Sequence, residues 1–178
     1  MVWWNARGIG NKEETFKELL DEVGAVYGGV PESHTYKQTM TLSDKRWKWE
    51  AGPEGKPSIM GSTDVSGGVG CFTDTTAVES SLIRQNDFLV WHRLETGEGQ
   101  APLAVGTAYF PTAQDAEGHA RANVALCGDL AYLTGQGYRV ALGGDFNAHT
   151  GANGDKMPVD MAGRMLLETA DWFGMVVV

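Results

Sequence analysis

A β-prone apolar run, Tyr138-Arg139-Val140-Ala141-Leu142, drives straight into Gly143-Gly144-Asp145-Phe146-Asn147-Ala148-His149-Thr150-Gly151. No other stretch limits the possible folds as much. A strand that closes on glycines and then presents a carboxylate and an amide is typical of the ligand-bearing edge of an α/β sheet, where loops can vary without disturbing the core. The two glycines are expected to let the backbone turn tightly. Asn147, one pleat beyond Asp145, is expected on the same face, with Phe146 between them turned into the core. Asp145 could take a proton or face a cation, and Asn147 could donate to an oxyanion. The same letters also fit an ordinary strand-to-turn transition.

The beginning of the chain repeats the pattern. Trp3-Trp4-Asn5-Ala6 reads as a strand closed by Arg7-Gly8-Ile9-Gly10. Asn11 with Glu14 three residues on has the layout of a capping box. Phe16, Leu19, Leu20 and Val23 would form the apolar face of the helix that follows, with Gly24 as its stop. Ala25 to Val30 then reads as a second strand delivering Pro31-Glu32-Ser33-His34. Parallel neighbours joined by a helical crossover carry their C-terminal residues to one sheet edge, so Asn5 and Glu32 should end side by side. Oxygen ligands of this kind suit a hard divalent cation such as Mg²⁺.

Further strands are expected at Arg46–Glu50, at Gly67–Phe72, at Phe88–Leu94 with His92 facing solvent, and at Leu103–Pro111. The alternation Arg46-Trp47-Lys48-Trp49-Glu50 fits a half-buried strand, although charge beside tryptophan also suits nucleic acid. Residues 56–70, rich in glycine and serine, read as a mobile loop near the site mouth. Helices are expected over 117–134, with Ala122, Leu126, Leu130 and Leu133 inward, and over 160–173, with Ala162, Leu166, Ala170 and Phe173 inward. Met175-Val176-Val177-Val178 reads as the opening of a buried strand, an unusual place for a chain to stop.

Composition narrows the function classes. No apolar run approaches the ~20 residues of a membrane helix. Cys71 and Cys127 lie far apart in apolar contexts and read as buried thiols. The formal net charge of −9 argues against tight non-specific DNA binding, which rests on phosphate contacts, but leaves a metal site open. No repeat, linker or domain boundary is visible, so residues 1–178 read as one domain.

The run Gly144-Asp145-Phe146-Asn147-Ala148-His149-Thr150-Gly151 closely resembles the hallmark of the endonuclease/exonuclease/phosphatase superfamily, in the variant found in retroelement-type endonucleases. Trp4-Asn5-Ala6-Arg7-Gly8 and Pro31-Glu32-Ser33-His34 resemble its first two motifs, Gly67-Gly68-Val69 an interior strand, and Tyr109-Phe110-Pro111 its tyrosine-bearing strand end. Pro31 stands where the family more often has Gln, and Thr112 where it often has Asn or Pro.

The resemblance implies a four-layer α/β sandwich of two packed mixed sheets flanked by helices, with its last part missing. It also implies Mg²⁺ (or Mn²⁺) held by Asn5 and Glu32, with Asp145, Asn147 and Tyr109 as catalytic residues. The implied activity is metal-dependent phosphodiester hydrolysis, most like a DNA endonuclease, with DNA as substrate partner and a nuclear location if the chain derives from a retroelement. A phosphatase or phospholipase of the same fold, and a non-catalytic remnant of a mobile element, are the alternatives. Family members carry a terminal Ser-Asp-His motif that is absent from these 178 residues, so the implied catalytic set is incomplete, and exposed apolar surface and aggregation are expected.

Overall fold

The computed structural model describes residues 1–34, 44–52, 56–57, 65–112, 114–152 and 155–177. Among the described residues, ten strands and three helices follow in the order β1 (Val2–Trp3), α1 (Glu13–Glu22), β2 (Tyr27–Pro31), β3 (Trp47–Ala51), β4 (Lys56–Pro57), β5 (Val65–Ser66), β6 (Val69–Asp74), β7 (Ser80–Gln85), β8 (Leu89–Leu94), β9 (Leu103–Tyr109), α2 (Ala116–Gly135), β10 (Arg139–Asp145) and α3 (Met161–Trp172). One four-stranded sheet runs β1-β2-β6-β3 and the other β10-β9-β8-β7, with β4 and β5 paired by themselves. Both large sheets are mixed. β1/β2 and β9/β10 are the parallel pairs, and the remaining neighbours are antiparallel.

Three apolar clusters fill the spaces between four layers. Phe16 and Leu20 of α1 pack with Val30, Trp47 and Phe72 on the outer face of the first sheet. Leu126, Leu130 and Leu133 of α2, with Leu166 and Phe173 from the α3 region, pack on Leu89, Trp91, Ala104 and Ala108 of the second. Tyr27, Cys71, Leu94 and Val105 lie between the sheets. The expected sandwich of two mixed sheets with helices outside is what the chain forms.

One side chain pins the sheets together. The Trp3 indole donates from Nε1 to the Gly106 carbonyl at 3.0 Å. A Cβ placed on Gly29 would lie 2.2 Å from this ring, and one on Gly143 would lie 2.3 Å from it. Gly143 and Gly144 are therefore inside β10 rather than at a turn. The first leaves room for the indole. The second has φ +149, and a Cβ there would sit 2.1 Å from the Ala108 carbonyl oxygen. A second tie joins the Tyr27 hydroxyl to the Thr107 hydroxyl across the sheets at 2.9 Å.

Several local expectations are corrected. Helix α1 starts at Glu13 after Lys12, and no side chain caps it. Leu19 and Val23 are exposed, because the buried face runs through Phe16, Lys17 and Leu20. Lys17 is buried through ion pairs to Glu13 and Asp44, with its ammonium over the Phe72 ring. His92, expected in solvent, is fully buried, since β8 is covered by the facing sheet on one side and by α2 on the other. Strand β7 had no clear sequence signal, its pattern being mostly exposed.

The long helix and the last helix meet expectation, capped at their starts by Asp115 and Asp160. Residues 175–177 carry no strand. Residues 37–43, and residues 58–64 of the 56–70 segment, lie outside the described residues. Both cysteines are free thiols, Cys71 buried and Cys127 half-buried. Among the described residues no helix is long and apolar enough to cross a membrane.

Candidate active site

Parallel pairing carries the C-terminal ends of β1 and β2 to one edge and those of β9 and β10 to the same rim of the sandwich. Asn5, two residues past β1, donates from Nδ2 to Asp145 Oδ2 at 2.6 Å, across 140 residues of sequence. Its own Oδ1 accepts from the Arg7 backbone N–H at 3.0 Å. Asp145, the last residue of β10, is paired in register with Tyr109, the last of β9. The Tyr109 phenol is half-buried, and burial first, then the Glu32 and Asp145 carboxylates, push its pKa up to about 12. It therefore stays a hydrogen-bond donor at neutral pH. Asn5, Glu32, Tyr109 and Asp145 thus gather at one rim.

Asn147 joins them differently from the expected strand geometry. The strand ends at Asp145, and Asn147 stands in the left-handed region at φ +45. Its backbone N–H donates to Asp145 Oδ1 at 3.0 Å, and its side-chain amide donates to the Phe110 carbonyl at 2.8 Å. The two ends of the turn are stitched together by Phe110 N–H donating to the Asp145 carbonyl at 2.8 Å. Phe146 packs edge-on against Phe110, as its inward assignment required.

Backbone strain concentrates here. Among the described residues, the non-glycine positions in the left-handed region are Arg7, Glu32, His34 and Asn147, all on the rim loops. Such conformations cost energy and persist where surrounding bonds over-determine them. The Glu32 segment is held in that way: the Gly8 N–H donates to the Glu32 carbonyl, while the Ser33 and His34 N–H groups donate to Gly68 and Gly67. His34 Nε2 lies 3.3 Å from Glu32 Oε1, so the histidine borders the carboxylate.

The donor set at this rim is made of oxygens: two carboxylates, an amide carbonyl and a phenol. Hard cations such as Mg²⁺ and Mn²⁺ take oxygen ligands, so the residues present fit such an ion. A cavity of about 790 Å³ lies alongside, touching Asp145 and Asn147 and descending over Leu142 and Leu130 to Met175 and Val176. Asn5, Glu32 and Tyr109 are not part of its wall, so it adjoins the rim rather than enclosing the carboxylates.

Sequence reasoning missed a second cluster. Glu50, Cys71 and His92 bring ligand atoms within 4.8 Å of one another between the sheets. The only sequence signal was a cysteine and a histidine in apolar strands, which is also how core residues look. His149 and His119 stand outside the rim set: the first faces Asp155, and the second bonds the Phe146 carbonyl.

No protein-family model matches the sequence, and no curated protein matches it. Solved structures do. The endonuclease domain of TRAS1, a telomere-specific non-LTR retrotransposon, aligns with a TM-score of 0.68 at 13% identity, covering 97% of this chain and 71% of that one. The AP endonuclease of Leishmania major gives 0.73 at 8% identity, with 96% and 65% covered. The Bacteroides thetaiotaomicron mannosyl-6-phosphatase gives 0.60 at 10% identity, with 95% and 69% covered. The chain spans 63 to 71% of the length of solved chains of this kind. These proteins differ in chemistry and in origin, and what they have in common with the chain is the layered arrangement of sheets and helices. This chain has the endonuclease/exonuclease/phosphatase fold.

Proposed function

We propose that the rim is a divalent-cation-dependent phosphodiester hydrolase site that acts on DNA as an endonuclease. The observation that carries this reading is the meeting of Asn5 with Asp145 at 2.6 Å, with Tyr109 and Glu32 beside them. Solved structures of the same fold include DNA-processing enzymes, which supports the choice of substrate.

Glu32 and the Asn5 carbonyl oxygen are the cation ligands. When bound, Mg²⁺ or Mn²⁺ relieves charge on the phosphoryl oxygens and favours deprotonation of water. Asp145 accepts the water proton, its two oxygens oriented by the Asn5 amide and the Asn147 N–H. Tyr109, kept protonated by its neighbours, donates to a non-bridging oxygen. Asn147 has a second amide hydrogen beyond the one given to Phe110 and can donate to the same phosphate. Arg7, exposed at the same loop, adds positive charge beside an otherwise acidic rim.

The acidic net charge favours a second reading, a phosphatase acting on a small phosphoester. Plasmid nicking measured beside phosphate release from sugar and inositol phosphates separates the two. Expected is nicking that needs Mg²⁺ or Mn²⁺ and falls about 100-fold or more in Glu32→Ala and in Asp145→Ala. Mn²⁺ binding, followed by electron paramagnetic resonance, should weaken in Glu32→Ala whatever the turnover. Cleavage within a few-fold of wild type in both variants would reject the assignment, and folded wild type that neither binds Mn²⁺ nor turns over would favour the remnant.

A further inference from the structure

The interior cluster has a chemistry of its own. Glu50 and Cys71 are cross-strand partners on β3 and β6, and His92 comes from β8 in the opposite sheet. Cys71 Sγ lies 3.4 Å from His92 Nδ1 and 4.0 Å from Nε2, and Glu50 Oε2 lies 3.6 Å from Nε2. Around tetrahedral zinc, with bonds of about 2.3 Å to sulfur and 2.0 Å to nitrogen or oxygen, ligand atoms sit about 3.3 to 3.6 Å apart. Ligation through Nε2 brings the sulfur about half an ångström closer to that nitrogen, starting from ligand atoms that all lie within 4.8 Å of one another.

The surroundings are arranged for a ligand rather than for a plain core. Cys71 and His92 are fully buried. The Thr73 hydroxyl, also fully buried, lies against the Cys71 thiol. Glu50 reaches in from the surface with its side chain 16% exposed, its Oε1 held by Lys48 at 2.9 Å, which leaves Oε2 turned to His92. The Ser80 hydroxyl contacts the same Oε2 at 3.3 Å. The fully buried Tyr27 hydroxyl lies against the Cys71 thiol.

We propose that Glu50, Cys71 and His92 form a zinc-class metal site that clamps the two sheets together, separate from the oxygen-lined rim. Cys71 sits opposite Gly29 on β2, three residues before Glu32, so the two sites lie at different depths of the sandwich. The donor set of one sulfur, one nitrogen and one oxygen selects a borderline-soft cation and disfavours Mg²⁺, which demands octahedral oxygen.

Binding breaks the Cys71 S–H bond, releases that proton to solvent and forms a metal–sulfur bond from the thiolate lone pair. Glu50 and His92 contribute lone pairs without losing a proton, and no electron changes hands. Two anionic ligands cancel the charge of the dication, so the buried complex is neutral and avoids the cost of an isolated interior charge. Burial supports the order of events. It holds His92 below 6.5, hence neutral and ready to ligate, and it raises the Cys71 thiol to about 12, so the metal has to displace a proton.

The test is a Co²⁺ titration of the intact chain, followed in the near-ultraviolet for the thiolate-to-cobalt charge-transfer band. Expected is a saturable band from a single equivalent, displaced by Zn²⁺ but not by excess Mg²⁺, with apparent affinity rising about tenfold per pH unit near neutrality, as one released proton requires. Zn²⁺ should also raise the melting temperature. The band should vanish in Cys71→Ser and persist in Cys127→Ser and in Glu32→Ala, which separates this site from the rim. No band in folded wild type needs no variant to interpret and overturns the proposal. A band that survives Cys71→Ser overturns it as well.

Discussion

Gly143→Ala tests how the sheets are held. A methyl group at this position would lie 2.3, 2.6 and 2.7 Å from Cδ2, Cε2 and Cε3 of Trp3. Carbon pairs prefer about 3.5 to 4.0 Å, so more than about 1 Å of movement is required. The indole has little room to retreat, because it also packs on Gly29, where even a Cβ would lie 2.2 Å from Cδ1, and its Nε1 is bonded to Gly106. Either the sheets part or the indole bond breaks. Overpacking of about 1–3 kcal/mol and a lost hydrogen bond of about 1 kcal/mol give a destabilisation of about 2–4 kcal/mol. For a chain of this size that corresponds to a melting temperature lower by about 5–15 °C. Circular dichroism and tryptophan fluorescence on heating give the measurement. In a Trp3→Ala background the clash is gone, and the same glycine substitution should cost less than about 1 kcal/mol. A Gly143→Ala protein melting within about 1 °C of wild type would refute the wedge.

Other outcomes follow from buried polar groups. Asp129 accepts from Arg84 Nε, Asn86 Nδ2 and Trp91 Nε1 at 2.8 to 3.0 Å. Asp129→Ala leaves the buried indole unpaired and should cost about 2–4 kcal/mol in urea unfolding, discounted for the partial exposure of Arg84, with Asp129→Asn milder. His92 should titrate below 6.5 in the metal-free protein by ring-proton NMR, since burial disfavours its charged form. An unfolded histidine takes up its proton first as the pH falls, so the contribution of His92 is intact above the unfolded pKa and is lost as pH drops through 6.5 toward the folded value. Tyr109 should ionise at about 12 by ultraviolet titration, and Glu32→Gln should bring it down by removing one of the nearby negative charges.

The rim was legible because its residues are tied to strand ends, and strand ends can be read from apolar runs. Asn5, Glu32, Tyr109 and Asp145 each follow such a run, and parallel pairing then fixes where they meet. What could not be read was the reason for particular letters. Gly143 looked like a turn residue because nothing in the neighbouring sequence announces Trp3, 140 residues away. His92 looked exposed because a histidine is polar, and the letters of its strand do not say that both faces are covered. Leu19 and Val23 looked inward, but the buried face takes in Lys17 instead, because the fold brings Asp44 to its ammonium. Asn147 followed the strand period on paper, yet the backbone leaves the pleat one residue earlier to satisfy the Asp145 carboxylate and the Phe110 carbonyl.

The Trp3 wedge bears on how the protein comes into being. The indole touches Gly29, Gly106 and Gly143, so one contact waits on four distant parts of the chain. Closing loops of that length is slow, and before they close Asn5 has no carboxylate to meet. Assembly intermediates with one finished sheet therefore lack the Asn5–Asp145 contact, and the proposed site is completed only with the final docking of the halves.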